Sequence, residues 1–294
     1  MPSGLMLVRE AMNVKKILLT GAGGFVGMRI AQHLQGRYEL ITFPKGVLSR
    51  ADLSEIRAFA VNAAPHAIIH TAAIADMGVC EANPEDSWRS NVLLTETLCS
   101  AAQELRAKIV CYSSDQVYNG CDPLLGPYRE DIPLTPVNVY GRHKLEAERR
   151  GLAACPDAVM LRATWMYDLS GESQQTRGGL LPHLLRQAEE NRTERFSSND
   201  FRGITWVRQA AELTEKALDL PGGAYNFGSP NHLSMYDTVC AALNALGLPA
   251  HLAERDDSGR VRCLSMDQTK INAHGIVFDS TADGFIHCAK AFAD

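Results

Sequence analysis

Short apolar runs bounded by Gly, Pro or polar residues alternate with stretches whose apolar positions recur at helical spacing. "KKILLT", "YELITF", "HAIIHTAA", "KIVCYSS" and "DAVMLRAT" have the pattern of buried strands. "FVGMRIAQHLQ", "LSEIRAFAVNA", "PEDSWRSNVLLTETLCSAAQEL" and "VNVYGRHKLEAE" have the pattern of the helices between them, with Pro84 suited to the first turn of the third. Strand–helix units of this length predict a parallel sheet with right-handed crossovers, hence an α/β fold with a doubly wound parallel sheet of Rossmann type. Ligands of such sheets sit beyond the carboxyl ends of the strands.

The rhythm loosens after Arg162. "DLSGESQQTRGG" reads as a loop, and "LLPHLLRQAEE" as a helix. "GITWVRQAAELTEKALDL" reads as a strand or turn followed by a helix, and "GAYNFGSP" as a short strand. In "LSMYDTVCAALNALGL", Ser234 is placed to cap a helix. These segments predict a smaller, partly interleaved C-terminal lobe. The expected division is a dinucleotide-binding part at 13–165 with sheet returns near 203–228, and a substrate lobe at 166–202 and 229–294. Residues 1–12 lack a basic n-region and a cleavage-like segment, so they are expected to form an extension outside the fold.

Composition narrows the partners. The chain has 294 residues, is 46% hydrophobic and 21% charged, and carries a formal net charge of -5. That balance offers no basic field for nucleic acid, and no apolar run is long enough to span a bilayer. The eight cysteines are scattered without a Cys-x-x-Cys pair, so free thiols in a cytoplasmic protein are expected, with no metal.

Candidate chemistry lies at the strand ends. "TGAGGFVG" places Gly21, Gly24 and Gly27, with Phe25 and Val26, between the first strand and first helix. Glycines there permit a tight turn, approach of backbone N–H groups to a pyrophosphate, and close helix–strand packing. The second strand ends in "ITFPKG", with Lys45 and no carboxylate. A cation there suits a 2′-phosphate, so NADP(H) is preferred and NAD(H) remains possible. Asp52 and Leu53 precede the second helix, where Asp52 suits either an N-cap or the adenine amino group. Thr71, Ala72 and Ala73 are small enough for a cofactor to lie against them. "CYSSDQVYNG" brings hydroxyls and an aspartate to the end of the fourth strand. Tyr140 and Lys144, four apart, share a helix face. A lysine cation within roughly 4–6 Å is expected to lower a tyrosine pKa and tune it as a general acid; a surface Tyr beside a solvated Lys is the alternative.

Together these residues resemble the extended short-chain dehydrogenase/reductase family, and within it the dTDP-4-dehydrorhamnose reductase-like branch. "YSSDQVYNG" is similar to that branch's Y-S-T-D-Y-V-F-x-G, and "YREDIPLTPVNVYGRHKLEAE" follows nearly all of the pattern ending in Y-G-x-x-K-x-x-x-E. The resemblance implies that Tyr140 is the catalytic acid/base, Lys144 lowers its pKa and binds the nicotinamide ribose, and Ser114 supports the substrate carbonyl. Asn91 matches a helix asparagine counted with the cofactor site. Asp115, Trp165 in "LRATWMY" and Arg202 in "SSNDFRGITWV" fall on the substrate side. The implied activity is NAD(P)H-dependent reduction of a nucleotide-linked 4-keto-6-deoxysugar by a protein that could be a homodimer. The alternatives are a non-catalytic regulatory subunit of the methionine adenosyltransferase type and a sugar-nucleotide epimerase. Gln116 in place of the usual tyrosine, Ile204 in place of a common proline, and the 170–179 loop depart from the branch, all expectedly on the substrate side.

Overall fold

The computed structural model describes residues 15–169 and 179–293. The expected extension at 1–12 and most of the 170–179 loop lie outside the described residues. Six strands form one parallel sheet: β1 (Lys16–Thr20), β2 (Glu39–Thr42), β3 (Ala67–His70), β4 (Lys108–Ser114), β5 (Val159–Ala163) and β10 (Gly223–Phe227). Their order is β2-β1-β3-β4-β5-β10. The chain leaves β1 toward β2, then returns to the opposite side of β1 to form β3. The winding therefore reverses between β1 and β3, and the crevice opens beyond their carboxyl ends.

Both faces of the sheet are covered, which is why its strands are apolar without alternation. Successive side chains point to opposite faces. Ile17 and Leu19 thus join a core with Ile30, Leu34, Val207 and Ala211 from α1 (Phe25–Leu34) and α9 (Val207–Lys216). Leu18 joins the other, with Ile56, Leu98 and Cys99 from α3 (Leu53–Ala63) and α6 (Leu94–Leu105). Helix α7 (Val139–Ala154) packs beside α6 and against β4.

The expected helix from Pro84 is continuous but not uniform. It runs as α5 (Pro84–Trp88), a wide π-helical turn at Arg89–Leu93, and α6. Thr95 and Thr97 donate their hydroxyls to the carbonyls of Asn91 and Leu93 within and just after that turn. Such turns occur often at functional sites.

A third apolar cluster draws on the C-terminal segments. It joins Tyr167, Leu181, Leu184, Val239, Leu243 and Phe285. They come from β6 (Trp165–Tyr167), α8 (Leu180–Glu189), α10 (Met235–Ala245) and α12 (Thr281–Ala293). Ser234 caps α10 as expected, accepting from the Asp237 amide. Among the described residues, only β10 returns to the main sheet. The strand β9 (Ile204–Trp206), expected as part of that return, pairs with β6 instead. Two further parallel pairs, unforeseen in the sequence, join β7 (Glu194–Ser197) to β11 (Ala253–Asp256) and β8 (Asp200–Arg202) to β12 (Arg262–Leu264). Among the described residues no helix is long and apolar enough to cross a membrane. No group of three or more His, Cys, Asp or Glu there could hold a metal.

Candidate active site

The turn after β1 opens the site. Gly21 has φ +72°, and a Cβ on it would lie 2.6 Å from Thr71 Oγ1 and 2.8 Å from the Ala72 nitrogen. Neither the backbone angle nor the space admits another residue. A Cβ on Gly27 would collide with the carbonyl of Gly21, so the start of α1 is held tightly against the turn. Gly24 donates its amide to Gly21 O at 2.8 Å and stands at the N-cap of α1 with no side-chain cap. The first amides of α1 are left to a partner that must be an anion or water. Across the turn, Thr71 donates its hydroxyl to Thr20 O at 2.8 Å, and the Ala72 amide donates to Thr20 Oγ1 at 3.3 Å. The ends of β1 and β3 are thereby locked together.

A cavity of about 970 Å³ lies directly beyond these ends. Gly24, Phe25, Val26, Gly27, Thr71 and Ala73 line it. Ser114, Asp115, Tyr140, Lys144, Trp165 and Arg202 line it as well. Most of the residues singled out in the sequence thus meet in one space. Four do not. Asp52 and Leu53 line a separate cavity of about 510 Å³ with Trp88, Arg89 and Leu93. Asp52 occupies the N-cap position of α3, yet its side chain makes no capping hydrogen bond. Lys45 is exposed in the loop after β2. Asn91 is buried, with its side chain turned to the backbone of Ile74: Oδ1 accepts from Ile74 N and Nδ2 donates to Ile74 O, both at 3.0 Å. It clamps the segment after β3.

Asn138 caps α7, accepting from the Gly141 amide at 2.6 Å, and so fixes the helix that carries Tyr140 and Lys144. Both side chains are buried, with the Lys144 nitrogen 5.8 Å from the centroid of the Tyr140 ring. Lys144 donates to Tyr112 O of β4 at 2.8 Å. Burial draws its pKa down to about 8. The expectation that Tyr140 has a lowered pKa is corrected: burial raises it above the ordinary phenol value, and the neighbouring Ser114 hydroxyl only partly reverses the shift. Removing an ionised phenolate from water is the dominant effect. The phenol is therefore fully protonated at neutral pH, the form that donates a proton. His70, pushed to about 3 by burial and then by Lys144, is neutral; its ring nitrogens meet the hydroxyls of Thr20 at 2.7 Å and Thr95 at 3.1 Å.

Behind the cavity lies a buried pair that motif spacing did not single out as functional. Glu148, one turn beyond Lys144, binds Arg162 of β5 at 2.8 Å and accepts the Ser113 hydroxyl at 2.5 Å. Gln116 is also buried. Its Nε2 donates to Asp115 Oδ1 at 3.3 Å, and its Oε1 accepts from Asn138 Nδ2 at 3.2 Å, linking Asp115 to the cap of α7. Ile204 proves not to face the substrate side. It is wholly buried in β9, and its amide donates to Thr281 Oγ1 at 3.1 Å, a bond that proline could not make.

Residues 15–274 match the model of the RmlD substrate binding domain. The chain belongs to this family. Among curated relatives it is 27% identical to the spore coat polysaccharide biosynthesis protein SpsK of Bacillus subtilis, over 79% of this chain and 80% of that protein. It is 28% identical to methionine adenosyltransferase 2 subunit beta of Xenopus tropicalis, over 85% of this chain and 78% of that one. A solved structure of dTDP-4-dehydrorhamnose reductase from Bacillus anthracis, in complex with NADP, superposes with a TM-score of 0.84 at 19% identity, covering 95% of this chain and 98% of that one. At that identity the likeness to the solved structure is one of fold. Membership of the RmlD substrate binding domain family agrees with the resemblance drawn from the motifs, and the six-stranded parallel sheet with the α/β expectation.

Proposed function

We propose that this chain is an NADP(H)-dependent reductase of a nucleotide-linked 4-keto-6-deoxysugar. The observation that carries this reading is the meeting of Ser114, Tyr140 and Lys144 with the glycine turn around one cavity. The residues suit a dinucleotide: an uncapped helix start facing the crevice, a turn with no room for side chains, and small residues at the end of β3. When bound, the reduced nicotinamide supplies the hydride to the sugar carbonyl carbon. Tyr140 then gives its hydroxyl proton to the carbonyl oxygen, Ser114 donates a hydrogen bond to that oxygen, and Lys144 orients the phenol and binds the nicotinamide ribose. Asn91 serves indirectly, by holding the segment after β3. Asp52 and Leu53 would border the adenine. Residues 13–165, with returns near 203–228, would hold the cofactor, and 166–202 with 229–294 the sugar nucleotide, reached by Asp115, Trp165 and Arg202. A homodimer and a cytoplasmic setting fit this role.

The preference for NADP(H) rests on the loop after β2. Lys45 is exposed there, and Arg50 folds back over Gly46, with its Nη2 2.8 Å from where a Cβ would stand. Two cations and no carboxylate at this place favour a 2′-phosphate over a free ribose hydroxyl. The regulatory-subunit alternative is kept open by the relative among methionine adenosyltransferase beta subunits.

Thermal unfolding with NADPH, NADH and dTDP-linked sugars tests the reading. A ligand at 100 times its Kd stabilises by about 2.7 kcal/mol, several degrees for a chain of this size. NADPH is expected to give the larger nucleotide shift, reduced to that of NADH by Lys45→Ala with Arg50→Ala, and the dTDP-sugar to add to it. Stabilisation by NADPH with no effect of any sugar nucleotide and no turnover would favour the regulatory reading.

A further inference from the structure

Asp115 joins the end of β4 to Arg202 of β8. The residue follows β4 directly and its side chain is 3% exposed. Oδ2 takes an ion pair at 2.9 Å from Nη2 of Arg202, which β8 carries. Oδ1 accepts the Ser114 hydroxyl at 3.2 Å and Gln116 Nε2 at 3.3 Å. Ser114 Oγ in turn accepts the Gln116 amide at 3.2 Å. The Arg202 guanidinium lies 5.7 Å from the centroid of the Trp165 ring, and its Nε is buried without a hydrogen-bond partner.

A serine hydroxyl has one proton to donate. Here it goes to a buried carboxylate, an acceptor that binds donors more strongly than a neutral ketone does. Ser114 must release Asp115 before it can serve a substrate oxygen. The ease of that release depends on how much negative charge Asp115 presents, and Arg202 is the cation that offsets it.

We propose that Arg202 is a positioning residue that, by offsetting the charge of Asp115, frees the Ser114 hydroxyl to turn to the substrate oxygen. This rests on the assignment of Ser114 to the carbonyl above. Gln116 shares the same carboxylate oxygen and ties it to the cap of α7, so the junction also holds the helix of the proton donor.

The test uses the full chain with NADPH and dTDP-4-dehydrorhamnose. Arg202→Met is expected to lower kcat by up to about 10²-fold, the loss seen when a donor to a developing oxyanion is removed, in addition to any rise in KM from its lost contact with the sugar nucleotide. Arg202→Lys keeps the charge and should retain most of the rate. Adding Asp115→Asn to Arg202→Met should restore kcat, because a neutral amide holds the hydroxyl less firmly. A raised KM with unchanged kcat, or no recovery in the double variant, would overturn the proposal. A second measurement needs no turnover and so separates this proposal from the reductase reading. In denaturant unfolding, Ser114→Ala should lower the midpoint more in the Arg202→Met background than in the native chain, and this excess should vanish in Asp115→Asn with Arg202→Met. Equal losses in all backgrounds would refute it even if dTDP-4-dehydrorhamnose is not a substrate. Should Arg202→Met not fold, Arg202→Gln, which keeps a donor and loses the charge, carries the same comparisons.

Discussion

Tyr140→Phe lowers the rate of keto-sugar reduction by about 10²–10⁴-fold, the usual contribution of a positioned general acid, and leaves NADPH affinity unchanged. The separation follows from what the substitution removes. The ring packs with Val139, Cys80 and Ile74, and phenylalanine keeps those contacts. The hydroxyl alone is lost, and with it the proton that neutralises the alkoxide as hydride arrives. Burial holds this phenol protonated in the free protein, so no activating ionisation precedes the donation. Single-turnover measurement with saturating NADPH gives the rate directly, and fluorescence titration gives the affinity. Turnover within tenfold of the native rate would mean that another group delivers the proton.

Glu148→Ala destabilises the fold by about 3–5 kcal/mol, because it strands Arg162 as an uncompensated buried charge. Both partners are about 4% exposed, and Glu148 also receives the Ser113 hydroxyl. Replacing Glu148 and Arg162 together by methionine should recover much of the loss, since an ion pair of this kind is often matched by apolar groups of similar volume. Arg162 also donates to Tyr118 Oη at 2.8 Å and to the Glu130 carbonyl at 3.1 Å, so recovery should fall short of complete. Urea unfolding of the two variants decides this. A double variant less stable than Glu148→Ala would show that the pair itself, rather than its imbalance, holds the region together.

The parts of the fold legible in the sequence were those set by local pattern. Runs such as "KILLT" and "AIIH" are apolar on both faces because helices cover both sides of the sheet, and no long-range knowledge is needed to see that. Tyr140 and Lys144 were visible because four residues make one helical turn. What stayed hidden depends on partners distant in sequence. Strands of three or four residues such as β8 and β12 carry no periodicity of their own, and each is defined by its pairing with the other. Asp115 and Arg202, 87 residues apart, are joined only by folding. Asn91 fitted a cofactor motif, but its direction depends on the π-helical turn that aims it at Ile74. The sign of the Tyr140 shift was misjudged because spacing reports a neighbouring cation and says nothing of burial. Ile204 was misplaced for a similar reason: the Thr281 hydroxyl that occupies its amide comes from α12.

Transfer of deuterium from C4-deuterated NADPH tests the central claim most directly. With dTDP-4-dehydrorhamnose as acceptor, the native chain should place one deuterium on the former carbonyl carbon of the sugar, in one stereochemical sense, while Tyr140→Phe binds the labelled cofactor and transfers almost none. Sugar recovered unlabelled from incubations in which NADPH is demonstrably bound would contradict hydride transfer in this cavity.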